Sequence, residues 1–375
     1  MSNVPKEQET TTFAESLIPT SFYTIIKEER IFLGLIGMFF FIAGVAFPYA
    51  EIAMWVGFVF AGYSAIANDS IQTIGTFIAS NDDKKWWVLW LYIGGIFLVT
   101  VTVSWYMYGG DVSYQRLASK GFSDAPREFT FLQVAAPIFL LILTRMRMPV
   151  STTFLLLSCF AASASDIQSV LGKSLQGYFI AFAAGLIVWL LVTKVLEKRF
   201  TGKAKSFWLP VQWITSGSLW AVWVMQDAAN IAVYLPRSLS VGQFLGFSLF
   251  IFFGLGILFY LRGDKIQRIV TEKSRVTDIR SATIIDFIYA ILLVYKLSIS
   301  TIPMSTTWVF LGLLAGREMG ISIRDSQDMG KPMPKVLRMI GKDLLYALIG
   351  LLVSMILAVA INPDVRDELL QIVGY

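Results

Sequence analysis

Uninterrupted apolar runs of about 20 residues recur along the whole chain, the length a helix needs to cross the hydrocarbon core of a bilayer. A segment in lipid must satisfy its backbone amides and carbonyls internally, which leaves helices or a closed β-barrel. The runs are continuous rather than alternating, which disfavours the barrel. Composition agrees: of 375 residues, 56% are apolar and only 15% charged, against roughly 25% charged in soluble chains. The chain reads as an all-α polytopic membrane protein whose surroundings are lipid.

Eleven segments stand out, at 31–50, 52–80, 86–108, 129–147, 149–164, 174–196, 207–236, 240–261, 283–302, 304–316 and 337–361. They divide the chain into a polar tail with an interfacial helix (1–30), a first transmembrane half (31–196, first repeat about 52–165), a cytoplasmic linker (197–206), a second half (207–361, second repeat about 207–325) and a C-terminal tail (362–375). Two segments are too long and too polar in the middle for plain helices: 52–80 around Ala67-Asn68-Asp69-Ser70, and 207–236 around Gln226-Asp227. Two are short, 149–164 and 304–316, and both open with Pro-x-Ser-Thr-Thr. Broken or re-entrant backbone survives in a membrane only where protein or water lines it.

Absences exclude much chemistry. Without histidine there is no Ser-His-Asp triad, no imidazole metal site and no imidazole proton relay. The single cysteine, Cys159, allows no disulfide within the chain. No enzymatic nucleophile-base pair emerges and no cofactor is implied. The net charge of +5 reads loop by loop, not as a nucleic-acid signal. Loops 262–280 and 317–342 each hold six Lys or Arg and 194–206 holds five, whereas 109–128 holds three and 165–173 one. The basic loops belong in the cytoplasm. Eleven crossings then put the N-terminus inside and the C-terminus outside, in a bacterial-type inner (plasma) membrane. The tryptophans Trp86, Trp87, Trp90 and Trp105 read as interfacial belts and packing.

The chain repeats itself weakly. Asn68-Asp69 recurs as Gln226-Asp227, 158 residues on, and each Asp is followed three residues later by an amide, Gln72 or Asn230. Ser151-Thr152-Thr153 recurs as Ser305-Thr306-Thr307, 154 residues on. Equivalent loops carry opposite charge bias, so the repeats are expected to run in opposite senses. Inverted repeats with broken segments are the architecture of secondary transporters, whose substrates sit near the midplane.

A carboxylate in hydrocarbon costs a few kcal/mol or more, so Asp69 and Asp227 are functional candidates by default. Carboxylate, amide and freed backbone carbonyls from Asn68, Asp69, Gln72, Gln226, Asp227 and Asn230 are hard oxygen ligands for Na+, and a carboxylate alone can carry H+. The serine of each triplet is placed to cap a helix start after Pro149 or Pro303, leaving N–H groups and hydroxyls of Ser151, Thr152, Thr153, Ser305, Thr306 and Thr307 for an oxyanion. These are expected to be separate sites, one for the cation and one for the anion. Arg145 and Arg147 read as either anion partners or interfacial charges, and Lys296 as either buried or snorkelling.

At these residues a resemblance becomes visible. Ala67-Asn68-Asp69-Ser70-Ile71-Gln72-Thr73-Ile74-Gly75-Thr76 resembles the signature of the inorganic phosphate transporter (PiT) family, Gly-Ala-Asn-Asp followed by Ala-Asn and Gly-Thr. Pro149-Val150-Ser151-Thr152-Thr153 and Pro303-Met304-Ser305-Thr306-Thr307 are similar to that family's Pro-x-Ser-Thr-Thr-His. The loop from Arg262-Gly263-Asp264-Lys265 to Ile279 and the last helix after Lys342-Asp343 fit as well, so the likeness spans about residues 50–361. Phe154 and Trp308 stand where the family has His, Gln226 and Gln72 where it has Asn, and Val233-Tyr234 where it has Gly-Pro. The resemblance implies a symporter of phosphate or a similar tetrahedral oxyanion with Na+ or H+. It implies substrate contacts at Asn68, Thr76 and the two triplets, and cation contacts at Asp69, Gln72, Gln226, Asp227 and Asn230, with Asp69 and Asp227 holding Na+ if Na+ is the ion. A sulfate permease on the same scaffold and a non-transporting membrane receptor are the rival readings. Oligomeric state is left open.

Overall fold

The computed structural model describes residues 22–118, 122–146, 148, 150–199, 204–261, 279–324 and 332–373, apart from the side chains of 22–28, 71–72, 192–199, 324, 369 and 372–373. The polar tail and the start of the expected interfacial helix, Arg147, Pro149 and the Gln72 side chain lie outside the described residues. Helices are α1 Phe22–Ala46, α2 Ala50–Ala65, α3 Ile71–Ser80, α4 Trp86–Met107, α5 Phe131–Arg145, α6 Ala164–Arg199, α7 Trp208–Ala232, α8 Val241–Tyr260, α9 Ile279–Ile299, α10 Thr306–Arg324, α11 Met333–Ile361 and α12 Pro363–Val373. A π-helical turn, Ile66–Ser70, joins α2 to α3, and a second, Thr153–Leu157, runs into a 3-10 turn at Ser158–Phe160.

Among the described residues, seven stretches are long and apolar enough to cross a membrane: Glu29–Ala46, Ala50–Ser70, Trp86–Met107, Ala164–Leu191, Val241–Tyr260, Ile279–Ile299 and Met333–Ile361. The other four expected segments are those with polar or irregular content. α5 has 15 residues, 149–164 holds only the π and 3-10 turns, and α7 and α10 carry the polar motifs.

Three expectations are corrected. The interfacial helix is not separate, because residues 22–30 continue without a break into α1. The second long segment is not interrupted at Gln226-Asp227, since α7 is regular from Trp208 to Ala232. Its polar residues are buried against protein, so the helix carries them without a backbone break. The segment 304–316 is not short, as α10 runs on to Arg324.

That extension follows from close packing. Gly312, Gly316 and Gly320 form a small-residue ridge on α10 against Tyr178, Phe182, Leu186 and Trp189 of α6. A Cβ at Gly312 or Gly316 would overlap the carbonyl oxygen of Tyr178 or Phe182. Lipid tails give helices no hydrophobic reason to associate, so such backbone-to-backbone approach is what holds them.

Hydrogen bonds sort the helix ends into two faces. On one, Asn81 Nδ2 donates to Gln212 Oε1 at 2.9 Å and Trp213 Nε1 to Asn81 Oδ1 at 3.0 Å. The Trp86 ring meets Tyr260 there. On the other, Leu239 N donates to Gly110 O at 2.9 Å, Ser238 Oγ to Gly109 O at 2.7 Å and Trp105 Nε1 to Leu239 O at 2.8 Å. The end of α3 therefore lies beside the start of α7, and each end of α4 beside the opposite end of α8. These elements are repeat mates, and they run in opposite senses. The tryptophans at 86, 90 and 105 pack on α8, with Trp90 Nε1 donating to Phe252 O at 2.9 Å.

Candidate functional site

Each repeat delivers its motif to the seam between the two. In the first, the π turn after α2 carries Asn68 and Asp69, both almost wholly buried. Asn68 Nδ2 donates to Asp69 Oδ1 at 2.8 Å, and the Thr152 hydroxyl donates to Asp69 Oδ2. In the second, Asp227 and Asn230 lie on one face of α7, and Asn230 Nδ2 donates to Asp227 Oδ1 at 2.6 Å. The Thr306 side chain lies near Asp227.

The two halves touch. Asn230 Nδ2 also reaches Thr153 Oγ1 at 3.2 Å, and Thr153 Oγ1 donates to Met304 O at 3.3 Å, so a first-half hydroxyl sits between an amide and the triplet approach of the second half. The serines cap as expected: Phe154 N donates to Ser151 Oγ and Trp308 N to Ser305 Oγ, each at 3.2 Å. Phe154 and Trp308 meet across the seam with ring centroids 5.2 Å apart. Thr307 is buried beside them.

Carboxylates and hydroxyls thus meet in one cluster. Thr152 bonds directly to the carboxylate that was to bind the cation. Thr76 belongs to a different cluster, where its hydroxyl donates to Asp286.

The second half-site holds oxygens with nothing to bond. Gln226 Oε1, Asp227 Oδ2 and Asn230 Oδ1 are buried without a hydrogen-bond partner among the described residues. Buried acceptors are ordinarily satisfied, so three open oxygens within one turn of α7 set this half-site apart. A small cavity of about 20 Å³ lies against Asp227 and Ser70, its other walls apolar side chains such as Phe97, Trp220 and Trp223. No cluster of three or more acidic or Cys side chains exists among the described residues. The donor set is mixed amide, hydroxyl and carboxylate oxygen, suited to a hard monovalent cation.

Three residues escaped the sequence reading. Tyr289 on α9 is buried and donates to Thr306 O at 2.9 Å, tying the site to a third helix. Asp286, one turn earlier, is also buried. Arg116, in the loop after α4, is turned inward: Asp111 accepts from Ser113 N at 2.7 Å and Gln115 N at 2.6 Å, holding Tyr114 and Gln115 at left-handed φ of 51° and 60°. The Arg116 guanidinium then donates to Ser300 O. Burial pulls Arg116 down to about 10, and the charge of Asp227 opposes that pull. Arg237 seals the same face through Phe122 O at 3.0 Å and Asp124 O at 2.8 Å. Of the cations considered from sequence, Arg145 pairs with Glu29 of α1 and Lys296 is buried in the last turn of α9.

No protein-family model matches the chain, and no curated protein sequence matches it. A solved structure described as the sodium-dependent phosphate transporter shares the fold. The superposition has a TM-score of 0.52 at 18% identity and covers 81% of this chain and 96% of that one. The chain is therefore an integral membrane protein with the architecture of that transporter.

Proposed function

We propose that this protein is a secondary active transporter, a symporter of inorganic phosphate or a closely similar tetrahedral oxyanion coupled to Na+ or H+. The observation that carries the reading is the meeting of two carboxylate-amide-hydroxyl half-sites from oppositely running repeats, joined through Asn230 and Thr153. Two buried carboxylates repel an oxyanion, so a bound cation has to offset them, which is a physical reason for coupling. Asp69, Gln72, Gln226, Asp227 and Asn230 would hold that cation, and the unpartnered oxygens of the second half-site fit it. The triplets Ser151 to Thr153 and Ser305 to Thr307, with Asn68, would hold the oxyanion through hydroxyl and helix-start N–H donors. A cation on Asp69 frees the Thr152 hydroxyl to turn to the oxyanion, so one bond links the two ligands. Phosphate is favoured by the architecture shared with a sodium-dependent phosphate transporter. The Lys and Arg excess of loops 194–206, 262–280 and 317–342 favours a cytoplasmic N-terminus and an outside C-terminus in a plasma membrane.

A binding screen of purified protein against phosphate, sulfate, arsenate and selenate, each with and without Na+, tests this. The expected result is phosphate and arsenate binding that strengthens with Na+. Sulfate binding alone would assign a sulfate permease. No oxyanion binding under any condition would leave a membrane receptor or scaffold.

A further inference from the structure

A buried carboxylate outside the two half-sites has no charge beside it. Asp286, on α9, is 1% exposed. Its Oδ1 accepts the Thr76 hydroxyl at 2.7 Å and its Oδ2 accepts the Ser216 hydroxyl. Those two neutral groups are its polar partners among the described residues. Thr76 on α3 belongs to the first repeat, and Ser216 on α7 and Asp286 belong to the second, so the carboxylate bridges the seam that alternating access has to open.

The other titratable groups on the surrounding elements are engaged elsewhere. On α9 itself, Tyr289 donates to Thr306 O and Lys296 faces Lys173 of α6, while Arg280 sits at the helix start. On α7, Asp227 is eleven residues from Ser216, about 16 Å along the helix. Asp69 precedes Thr76 by seven residues, about 10 Å. On α10, Arg317 pairs with Glu318 at 2.7 Å, and on α6, Asp166 bonds Ser163. An ionised carboxylate held only by two hydroxyls in an apolar interior is costly. A metal cation would need a shell of several oxygens, whereas here two hydroxyls are the polar groups on the carboxylate. A proton neutralises the group and needs no such shell, because one of the two hydroxyls can turn to accept the acid O–H while the other still donates.

We propose that Asp286 is a proton-binding site of the transport cycle. The carboxylate takes a proton from water and holds it as the neutral acid while the repeats are closed, then returns it to water when the contact between Thr76 and Asp286 opens. The cycle rests on the transport reading above; the neutral acid in the closed state does not.

Infrared pH-difference spectroscopy on the full-length protein in lipid separates the two. The wild type is expected to show a carboxylic-acid C=O band at neutral pH that Asp286→Asn removes and Ser216→Ala keeps but shifts, because one of its two hydroxyls is gone. In proteoliposomes with a pH dye inside, Asp286→Asn is expected to carry one proton fewer per oxyanion than wild type at the same pH. Identical infrared spectra for wild type and folded Asp286→Asn would overturn the proposal. So would a band that vanishes when Na+ replaces choline, which would make this a Na+ site, or an unchanged proton count. Absence of any oxyanion uptake would refute the transport reading and leave the infrared result to decide the protonation.

Discussion

The two repeats carry the same motifs on different backbones. In the first, the Asp segment is broken by the π turn at Ile66–Ser70 and the triplet segment by the turns at Thr153–Phe160. In the second, the equivalent segments are the unbroken helices α7 and α10. The polar bonding differs in the same sense. Both Asp69 oxygens have donors, whereas the second half-site leaves three oxygens open. Irregular turns inside helices are concentrated at functional sites. The first repeat thus has the broken backbone with a satisfied carboxylate, and the second the regular helices with open oxygens.

The largest effect expected from this asymmetry is on folding. Gly316→Ala drives a methyl into the Phe182 carbonyl on the α6–α10 contact, whereas Gly350→Ala meets only the Val150 side chain, at 3.1 Å. Overpacking costs about 1–3 kcal/mol, and backbone against backbone belongs at the upper end. Thermal unfolding in detergent should show a large loss for Gly316→Ala and a small one for Gly350→Ala; equal losses would mean that the rigid contact is not special.

Cation affinity comes next. Asp227→Asn removes the charge from the half-site with open oxygens, and Asp69→Asn removes it from the satisfied one. A bond to a charged group is worth about 1.5–3 kcal/mol. Equilibrium Na+ binding should therefore fall on the order of a hundredfold for Asp227→Asn and about tenfold for Asp69→Asn. The reverse order would invert the comparison.

The hydroxyls sharpen it further. Thr152→Val deletes the donor to Asp69, so it should weaken oxyanion binding about tenfold and also alter Na+ affinity measured without oxyanion. Thr153→Val removes the acceptor that ties Asn230 to the first half and should lower the dependence of one ligand on the other. If Thr152→Val changes oxyanion affinity alone, the anion and cation sites are separate after all. The smallest expected effect is in hydrogen exchange, where amides of 66–70 and 153–160 should exchange faster than those of 222–232 and 306–316.

Much of this was legible in the sequence. Apolar runs mark the membrane helices because a bilayer imposes one length and tolerates few charges. The duplicated Asp-amide and Ser-Thr-Thr motifs mark both half-sites because polar residues are scarce in such runs. The continuity of α7 was not legible, since a helix can carry Gln226 and Asp227 unbroken when that face meets protein, and the facing partner lies far away in sequence. Asp286 and Tyr289 have no counterpart in the first repeat, so duplication could not flag them. Arg116 lies in a polar loop, and only the fold of that loop turns it inward. The glycine ridge at Gly312, Gly316 and Gly320 was readable as a close-packing signal and would have predicted the full length of α10.

The account stands or falls on whether the joined half-sites move an oxyanion with a cation. Uptake of labelled phosphate into proteoliposomes, with an inward Na+ or H+ gradient and without one, measures this directly for wild type and Asp227→Asn. The account predicts concentrative, gradient-driven uptake in the wild type and its loss in Asp227→Asn. Wild-type vesicles that take up no phosphate above protein-free controls, or that fill equally with and without either gradient and regardless of Asp227, would contradict it.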